Sequence, residues 1–120
     1  VVVLTIDAEI LAPVKGLITG FLLKNSKGLT LLGDNTMNAL PAKMVRQANR
    51  GDKIETKFIF TLPLLSKGEY SITVALASGS QDDHEIIHWV NDALILESEC
   101  SSIAAGLAGV PMHTIEMEKI

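Results

Sequence analysis

The sequence predicts an all-β protein, an antiparallel β-sandwich of seven to eight strands with almost no helix. The first observation is the alternation of apolar residues on both sides of a Pro/Gly turn at residues 63–68. Period-two alternation is typical of antiparallel strands that bury one face and expose the other. The second observation is that short apolar runs are separated by turn residues, with no long helices between them. The alternating positions are Ile54, Thr56, Phe58, Phe60 and Leu62 before the turn, and Tyr70, Ile72, Val74 and Leu76 after it.

The N-terminal third is expected to form three strands. Residues 1–9 and 17–24 have the apolar alternation of the first two strands. Residues 25–28, Asn-Ser-Lys-Gly, predict a tight turn, because Asn and Gly accept the positive φ that such turns need. Residues 29–32 then form a short return strand, which the Gly-Asp-Asn sequence at 33–35 closes as a second turn.

The middle of the chain contains the strongest strand pattern. Residues 36–51 include Pro41 and have mixed polarity, which favours a short edge strand within a loop. Residues 52–62 and 69–78 are predicted to pair as a central antiparallel hairpin. Tyr70 should pack its ring inward, with its hydroxyl bonded to a nearby turn.

The C-terminal third is less regular. Residues 79–83 predict an exposed loop, and residues 84–99 predict a segment that starts irregularly and ends as a strand. A short helix over residues 85–93 is a competing interpretation, since Ile86, Val90 and Ala93 have helical spacing. The Gly, Ala and Ser of residues 101–111 predict a linker. Alternation over residues 113–119 predicts a last strand.

Composition limits the classes of function. The 120 residues suit one domain, and the net charge of −4 argues against a nucleic-acid partner or an anionic membrane surface. Cys100 is the only cysteine, so an intrachain disulfide and a cysteine-based metal site are excluded. No apolar run approaches the ~20 residues of a membrane span, and no signal peptide is evident. The chain begins at Val1 rather than Met, which favours a fragment of a longer protein.

Motifs for common enzymatic sites are missing from the sequence. No Gly-rich loop is followed by Lys-Ser or Lys-Thr, and Gly16 and Gly20 lack the third glycine of a dinucleotide site. No Gly-x-Ser-x-Gly elbow occurs. An enzymatic role for this chain therefore has little support from its motifs.

The acidic and histidine residues at 82–88 form the densest polar cluster. A metal site could use His84, His88 and one carboxylate, whereas the simpler interpretation is a solvated loop. In a strand the two histidines would stand about 13 Å apart, too far for one ion. Only a helix would bring them to one ligand set.

Two further groups of residues are candidates for ligand binding. Trp89, the only tryptophan, with Asn91 and Asp92, has the chemistry of a sugar-binding surface; the alternative is that Trp89 fills the core. Arg46 and Gln47 lie in a polar stretch with Asn49 and Arg50 that could bind an anionic or hydroxyl-rich ligand, or form an ordinary loop.

Three segments together resemble one family. Gly28-Leu29-Thr30-Leu31-Leu32-Gly33-Asp34-Asn35-Thr36 is similar to its G-x-x-L-x-G-x-N-T segment, and residues 60–65 with 68–71 are similar to its central hairpin. Residues 84–96, with His88-Trp89 and Asp92-Ala93-Leu94, are similar to its next strand. The family is the C-terminal domain of the ATP-binding subunit of polysaccharide ABC exporters, the Wzt type. Asp34 departs from the small or hydroxyl residue expected there.

The resemblance implies an immunoglobulin-like β-sandwich that binds carbohydrate on the cytoplasmic side of the inner membrane. It would recognise the capped, non-reducing end of a lipid-linked O-antigen polysaccharide and couple it to export. The resemblance also implies an ATPase domain, with its ATP, N-terminal to Val1, a membrane transporter subunit as partner, and a homodimer. No cofactor is expected in this chain. The linker at 101–111 would let the last strand exchange between the two copies.

Three functional hypotheses follow. The first is polysaccharide binding through a face or loop of the sandwich. The second is a structural or dimerisation domain with no ligand of its own, and the third is a hydrolase or metal-dependent enzyme. The candidate carbohydrate-binding residues are Trp89, His88, His84, Asn91, Asp92, Arg46, Gln47, Asn35 and Thr36.

Overall fold

A computed structural model describes residues 1–38, 45, 47–79, 84–99 and 108–119. This part of the chain contains ten strands and one short 3-10 turn over Thr36–Asn38. The strands are β1 (Val2–Glu9), β2 (Val14–Lys15), β3 (Leu17–Asn25), β4 (Thr30–Asn35), β5 (Gln47–Ala48), β6 (Lys53–Phe60), β7 (Leu64–Leu65), β8 (Gly68–Gly79), β9 (His84–Ser98) and β10 (Ala108–Gly109). The all-β prediction is confirmed.

Two antiparallel sheets form the sandwich. The larger has the order β4-β3-β8-β9, and the smaller pairs β1 with β6 along their whole lengths. Two short pairs, β2 with β5 and β7 with β10, form separate two-stranded sheets. The two main sheets pack through the apolar faces that the alternating sequence creates.

The prediction that residues 52–62 and 69–78 pair as a hairpin is wrong. Strand β6 pairs with β1, whereas β8 pairs with β3 and β9. The connection through Pro63 therefore crosses from one sheet to the other. Both strands still bury their predicted apolar faces, because strands that face each other across a sandwich alternate like strands that lie side by side.

The first two strands and the turn between β3 and β4 agree with the sequence. In the turn, the side-chain oxygen of Asn25 accepts hydrogen bonds from the backbone N–H groups of Lys27, at 3.0 Å, and Leu29, at 2.9 Å. Gly28 has a φ of 80°, which favours glycine. The turn expected at 33–35 is wrong, since β4 continues to Asn35 paired with β3.

The core between the sheets is centred on Phe21 of β3. Phe21 packs edge-on against Phe58, with ring centroids 4.8 Å apart, and stacks with Phe60 at 5.7 Å. Leu23, Leu65, Tyr70 and Ile72 complete the buried cluster. A second, smaller cluster of Ile10, Leu17 and Ala48 closes the other end of the sandwich.

Tyr70 ties β8 to the crossing connection, as predicted. Its ring is buried, and its hydroxyl donates to the backbone carbonyl of Ser66 at 2.6 Å and lies 2.9 Å from the Ser66 hydroxyl. The bond holds the point where the chain enters β8. It therefore fixes the crossing between the two sheets.

Replacing Tyr70 by phenylalanine should lower the free energy of unfolding by about 1–3 kcal/mol, because the Ser66 carbonyl loses its partner. Urea denaturation of the two proteins measures the difference. Ser66→Ala is the matched control, since it removes the hydroxyl contact and keeps the carbonyl bond. A Tyr70→Phe protein as stable as the parent would show that the tie contributes nothing.

The C-terminal third differs most from its prediction. Residues 84–98 form one continuous strand, so the helical alternative over 85–93 is wrong. The expected loop at 79–83 and linker at 101–111 fall largely outside the described residues, although residues 108–109 pair with β7. The strand expected at 113–119 is absent from the single chain, where Ile115 and Met117 are exposed. No strand of the described chain lies beside this segment to complete its hydrogen bonds.

Candidate functional site

One row of residues crosses all four strands of the larger sheet. Gly20 lies opposite Asn35 on one side and Ala75 on the other, and Ala75 lies opposite Trp89. The row belongs to the face that turns away from β1 and β6, because the neighbouring Phe21 points into the core. This face of the sheet β4-β3-β8-β9 is called the outer face below.

The outer face holds a pocket of 270 Å³ above this row. Three small residues, Gly20, Ala75 and Ala77, form its floor, and Trp89 forms one wall. Trp89 is 44% exposed, so the interpretation of this residue as core filling is wrong. Asn35 adds an amide to the opposite side of the pocket. The lining residues are Ile18, Gly20, Phe21, Leu22, Asn35, Thr73, Ala75, Ala77, Ile86 and Trp89.

A β-bulge beside Thr73 shapes the strand that carries Trp89. The pairing of β8 with β9 changes register between Ile72 and Val74, which leaves residues 91–93 opposite Thr73. Asp92 has a φ of 51°, and its backbone N–H donates to the Thr73 hydroxyl at 3.4 Å. Thr73 is buried, so this bond satisfies a polar group inside the sheet. Bulges of this kind re-aim side chains near functional sites.

The bulge also places a partner beside the indole. The Nε1–H of Trp89 donates to the side-chain oxygen of Asn91 at 2.8 Å. This bond restrains the ring although it is exposed on the surface. The indole therefore stands as a fixed wall of the pocket.

A second register shift brings another apolar side chain to the pocket. Leu76 pairs with His88, but Ala77 pairs with Ile86, so Ile87 has no direct partner. The extra residue reverses the alternation, and Ile86 joins Trp89 on the pocket side. Simple alternation would have placed these two residues on opposite faces.

Lys24 approaches the indole from outside the pocket. Its ammonium lies 5.9 Å from the centroid of the Trp89 ring, within the range of a cation–π contact. Lys24 is not among the residues that line the pocket. The ammonium therefore backs the aromatic wall without entering the pocket.

Three of the sequence-predicted residues gather at this place. Asn35 and Trp89 line the pocket, and Asn91 holds the indole. Thr36 follows Asn35, but its hydroxyl accepts the backbone N–H of Thr19 at 3.1 Å and so joins β3 to the 3-10 turn. Asp92 is exposed in the bulge.

The other candidates lie elsewhere. His88 pairs with Leu76 and faces a separate opening between the two sheets. His84 begins β9 opposite Gly79. Gln47 lies in β5, paired with Lys15, and is not among the pocket residues, while Arg46 lies outside the described residues.

The described residues contain no group of three or more His, Cys, Asp or Glu side chains placed to hold a metal ion. The register shift at Ile87 falls between His84 and His88 and interrupts the alternation that the sequence alone would give them. Within the described part of the chain, no helix has the length and apolar character needed to span a membrane.

Sequence reasoning missed the small residues that form the floor of the pocket and the lysine that contacts the indole from outside it. Gly20, Ala75 and Ala77 carry no chemistry, and only their positions on one face of two paired strands make them a floor. The sequence signal that could have revealed the floor was the presence of small residues at alternate positions of β8. Lys24 was not singled out because its contact with Trp89 crosses the sheet.

Comparisons with known proteins give one family and one fold. A family model described as the Wzt C-terminal domain matches residues 1–110. The crystal structure of the C-terminal domain of wzt superposes with a TM-score of 0.80 at 22% sequence identity, over 96% of this chain and 69% of the other. No curated protein matches the sequence significantly.

Proposed function

This chain belongs to the family of Wzt C-terminal domains, and we propose that it binds the glycan of a polysaccharide ABC exporter through the outer-face pocket. The observation that carries the proposal is the exposed, restrained indole of Trp89, which lines one pocket together with the Asn35 amide on its opposite side. An aromatic face suits the apolar C–H surface of a pyranose ring. An amide can exchange hydrogen bonds with sugar hydroxyls.

The size of the pocket favours recognition of one sugar residue. Its 270 Å³ falls just below the range of about 300–1,000 Å³ for drug-sized ligands. A site for one ring suits the end of a chain better than a run of internal residues. The proposed ligand is therefore the capped, non-reducing end of a lipid-linked O-antigen polysaccharide.

Family membership supports the remaining parts of the proposal. The domain would act beside an ATP-binding domain of the same subunit, which holds the ATP, and beside a membrane transporter subunit. Glycan binding would then be coupled to export at the cytoplasmic face of the inner membrane. The role of this domain is binding, and the ATP hydrolysis belongs to the ATP-binding domain.

Titration with the polysaccharide of the source organism, prepared with and without its terminal cap, tests the proposal. Calorimetry gives the affinity, and the fluorescence of Trp89, the only tryptophan, reports on the pocket. Binding of the capped form alone would support end recognition. Equal binding of both forms would support carbohydrate binding without it, and binding of neither would defeat the proposal.

Dimerisation is a second candidate function, and an opening between the sheets favours it. Strands β1 and β9 each have only one neighbour among the described strands, so the edges that border this opening are unpaired. The opening has a volume of 930 Å³. Its apolar lining includes Ile6, Leu17, Val74, Leu76 and Val90, with His88 at the side.

We propose that the C-terminal segment of a second copy fills this opening by strand exchange. The segment from residue 110 onward exposes Val110, Met112, Ile115 and Met117, which are 65–97% exposed. An unpaired strand edge offers backbone groups for such an added strand. The exchange would give the predicted last strand at 113–119 a partner that the single chain lacks.

The molar mass in solution tests the exchange. The chain should be a dimer at high micromolar concentration, and removal of residues 110–120 should make it a monomer. The double variant Ile115→Asp/Met117→Asp should also dissociate the dimer, because both charges fall on the apolar side of the exchanged strand. Thr114→Asp, on the alternate side, is the control and should leave the dimer intact. A parent chain that is strictly monomeric would contradict the exchange.

A further inference from the structure

Strand β9 presents different residues on its two faces. Trp89 lies on the outer face, whereas Val90 lies opposite Val74, which packs on the core, and therefore points toward the space between the two sheets. Leu94 also points inward, since it lies opposite the buried Ile72. Inward and outward residues thus share one short stretch of backbone.

The inner face of β9 lacks the cover that the small sheet gives to β3. Val90 and Leu94 are 37% and 46% exposed although they point inward. The small sheet contains only β1 and β6 among the described strands, so two strands face a sheet of four. Val90 lines the 930 Å³ opening between the sheets. An apolar face of this kind gains free energy when another chain covers it.

Within the described chain, strand β8 alone holds the backbone around Trp89. Between the two register shifts, only His88, Trp89 and Val90 pair with β8; Ile87 precedes them and residues 91–93 follow. Each shift interrupts the ladder of backbone hydrogen bonds. Three paired residues between two bulges, on a strand with one neighbour, open locally more easily than a strand held on both sides.

The C-terminal segment of a second copy fits this inner face. The proposed strand exchange brings Ile115 and Met117, which are 87% and 97% exposed in the single chain, into the opening that Val90 lines. As a strand, residues 110–119 would span about 33 Å, more than the roughly 13 Å from Val90 to Leu94. One segment can therefore cover the inward residues on both sides of the bulge.

We infer that dimerisation completes the glycan site: the segment exchanged from the second copy covers the inner face of β9 and thereby fixes the indole on its outer face. The bond to Asn91 restrains the ring relative to its own backbone, and the covering segment restrains that backbone. A single copy must order this stretch when it binds, which weakens its affinity. The inference rests on the proposed glycan binding and strand exchange, and it adds the coupling between them.

Titration of dimeric and monomeric forms with the capped polysaccharide tests the coupling. The monomeric forms are the chain without residues 110–120 and the full chain with Ile115→Asp/Met117→Asp, and Thr114→Asp is the dimeric control. By calorimetry, both monomeric forms should bind about tenfold more weakly than the parent, within the usual range of coupling between sites. Thr114→Asp should bind like the parent.

The motion of the indole gives a second readout that needs no ligand. Trp89 is the only tryptophan, so time-resolved fluorescence anisotropy reports on this ring alone. The fast, local part of the anisotropy decay should be larger in the monomeric forms than in the dimers. Tyr70→Phe, which is destabilised at a different place and keeps the C-terminal segment, should retain the local motion of the parent.

The outcomes separate this inference from the proposed function. Equal affinity of the dimeric and monomeric forms would overturn the inference and leave glycan binding intact. So would equal local motion of the indole in the two forms. If both monomeric variants unfold, the parent itself serves, because its affinity should fall as dilution dissociates the dimer; a constant affinity would again overturn the inference.

Two further results bear on the premises. A parent chain that is strictly monomeric would defeat the strand exchange and this inference with it, and its glycan binding is then judged by its own titration. If no form binds the polysaccharide, the proposed function fails and the inference fails with it.

Discussion

Replacing Trp89 by alanine should weaken glycan binding about 30-fold or more and leave the fold intact. Among the described residues that line the pocket, Trp89 is the only aromatic residue with an exposed side chain, since Phe21 is buried in the core. Truncation of an aromatic anchor in a binding interface typically costs 2 kcal/mol or more, which is about 30-fold in affinity. The fold should survive because Trp89 is 44% exposed on a strand that has only one neighbour among the described strands.

Calorimetric titration with the capped polysaccharide measures this loss, since the variant no longer has a tryptophan to report by fluorescence. Ile95→Ala is the matched control. Ile95 lies in the same strand, is 54% exposed and pairs with Ser71 on the outer face, but it does not line the pocket. If both variants bind as the parent does, the glycan is held at another surface. If both variants lose binding equally, the loss comes from a disturbance of the strand and not from removal of the indole.

Replacing Asn91 by alanine should also weaken glycan binding, but less than replacing Trp89. Asn91→Ala removes the acceptor of the indole N–H and leaves the ring in place but less restrained. We expect a loss of several-fold in affinity, about 1 kcal/mol for one hydrogen bond. If Asn91→Ala binds as the parent does while Trp89→Ala loses affinity, the indole binds the glycan without needing its hydrogen bond to Asn91.

The strands were predictable because their pattern follows from burial of one face. Residues 53–60 alternate between partly buried and exposed, as an apolar face on the core requires: Ile54, Phe58 and Phe60 are partly buried, and the lysines and Glu55 are exposed. Which strand lies beside which was not predictable from this pattern. The alternation of β6 and β8 is satisfied equally by pairing side by side and by packing face to face, and only long-range contacts choose between them.

The site was predictable in part for the same reason. Trp89, Asn91 and Asn35 were chosen for the chemistry of their side chains, and they do lie at one place. The side of the sheet that Trp89 faces was hidden because two register shifts in β9 change the alternation that a sequence shows. The positive φ of Asp92 and the lone Ile87 depend on the pairing with β8, which no local pattern contains.

Packing across the sheets gives the largest expected effect on stability. Phe21→Ala should lower the free energy of unfolding by about 3–5 kcal/mol, the usual cost of removing a buried phenylalanine. Phe21 is 5% exposed and contacts both Phe58 and Phe60 of the opposite sheet. This loss is a large part of the 5–15 kcal/mol that stabilises a typical domain.

Urea denaturation measures the loss, and Ile59→Ala is its control, because Ile59 lies between Phe58 and Phe60 but is 68% exposed. A loss below about 1 kcal/mol in Phe21→Ala would contradict the packing described. A double-mutant cycle of Phe21→Leu with Phe58→Leu extends the test to the arrangement of the sheets. The two residues should be coupled by about 0.5–1.5 kcal/mol, as for aromatic pairs in contact. Additive effects would instead mean that β3 and β6 do not face each other. The packing of β3 against β6 is what distinguishes this sandwich from the hairpin that the sequence suggests.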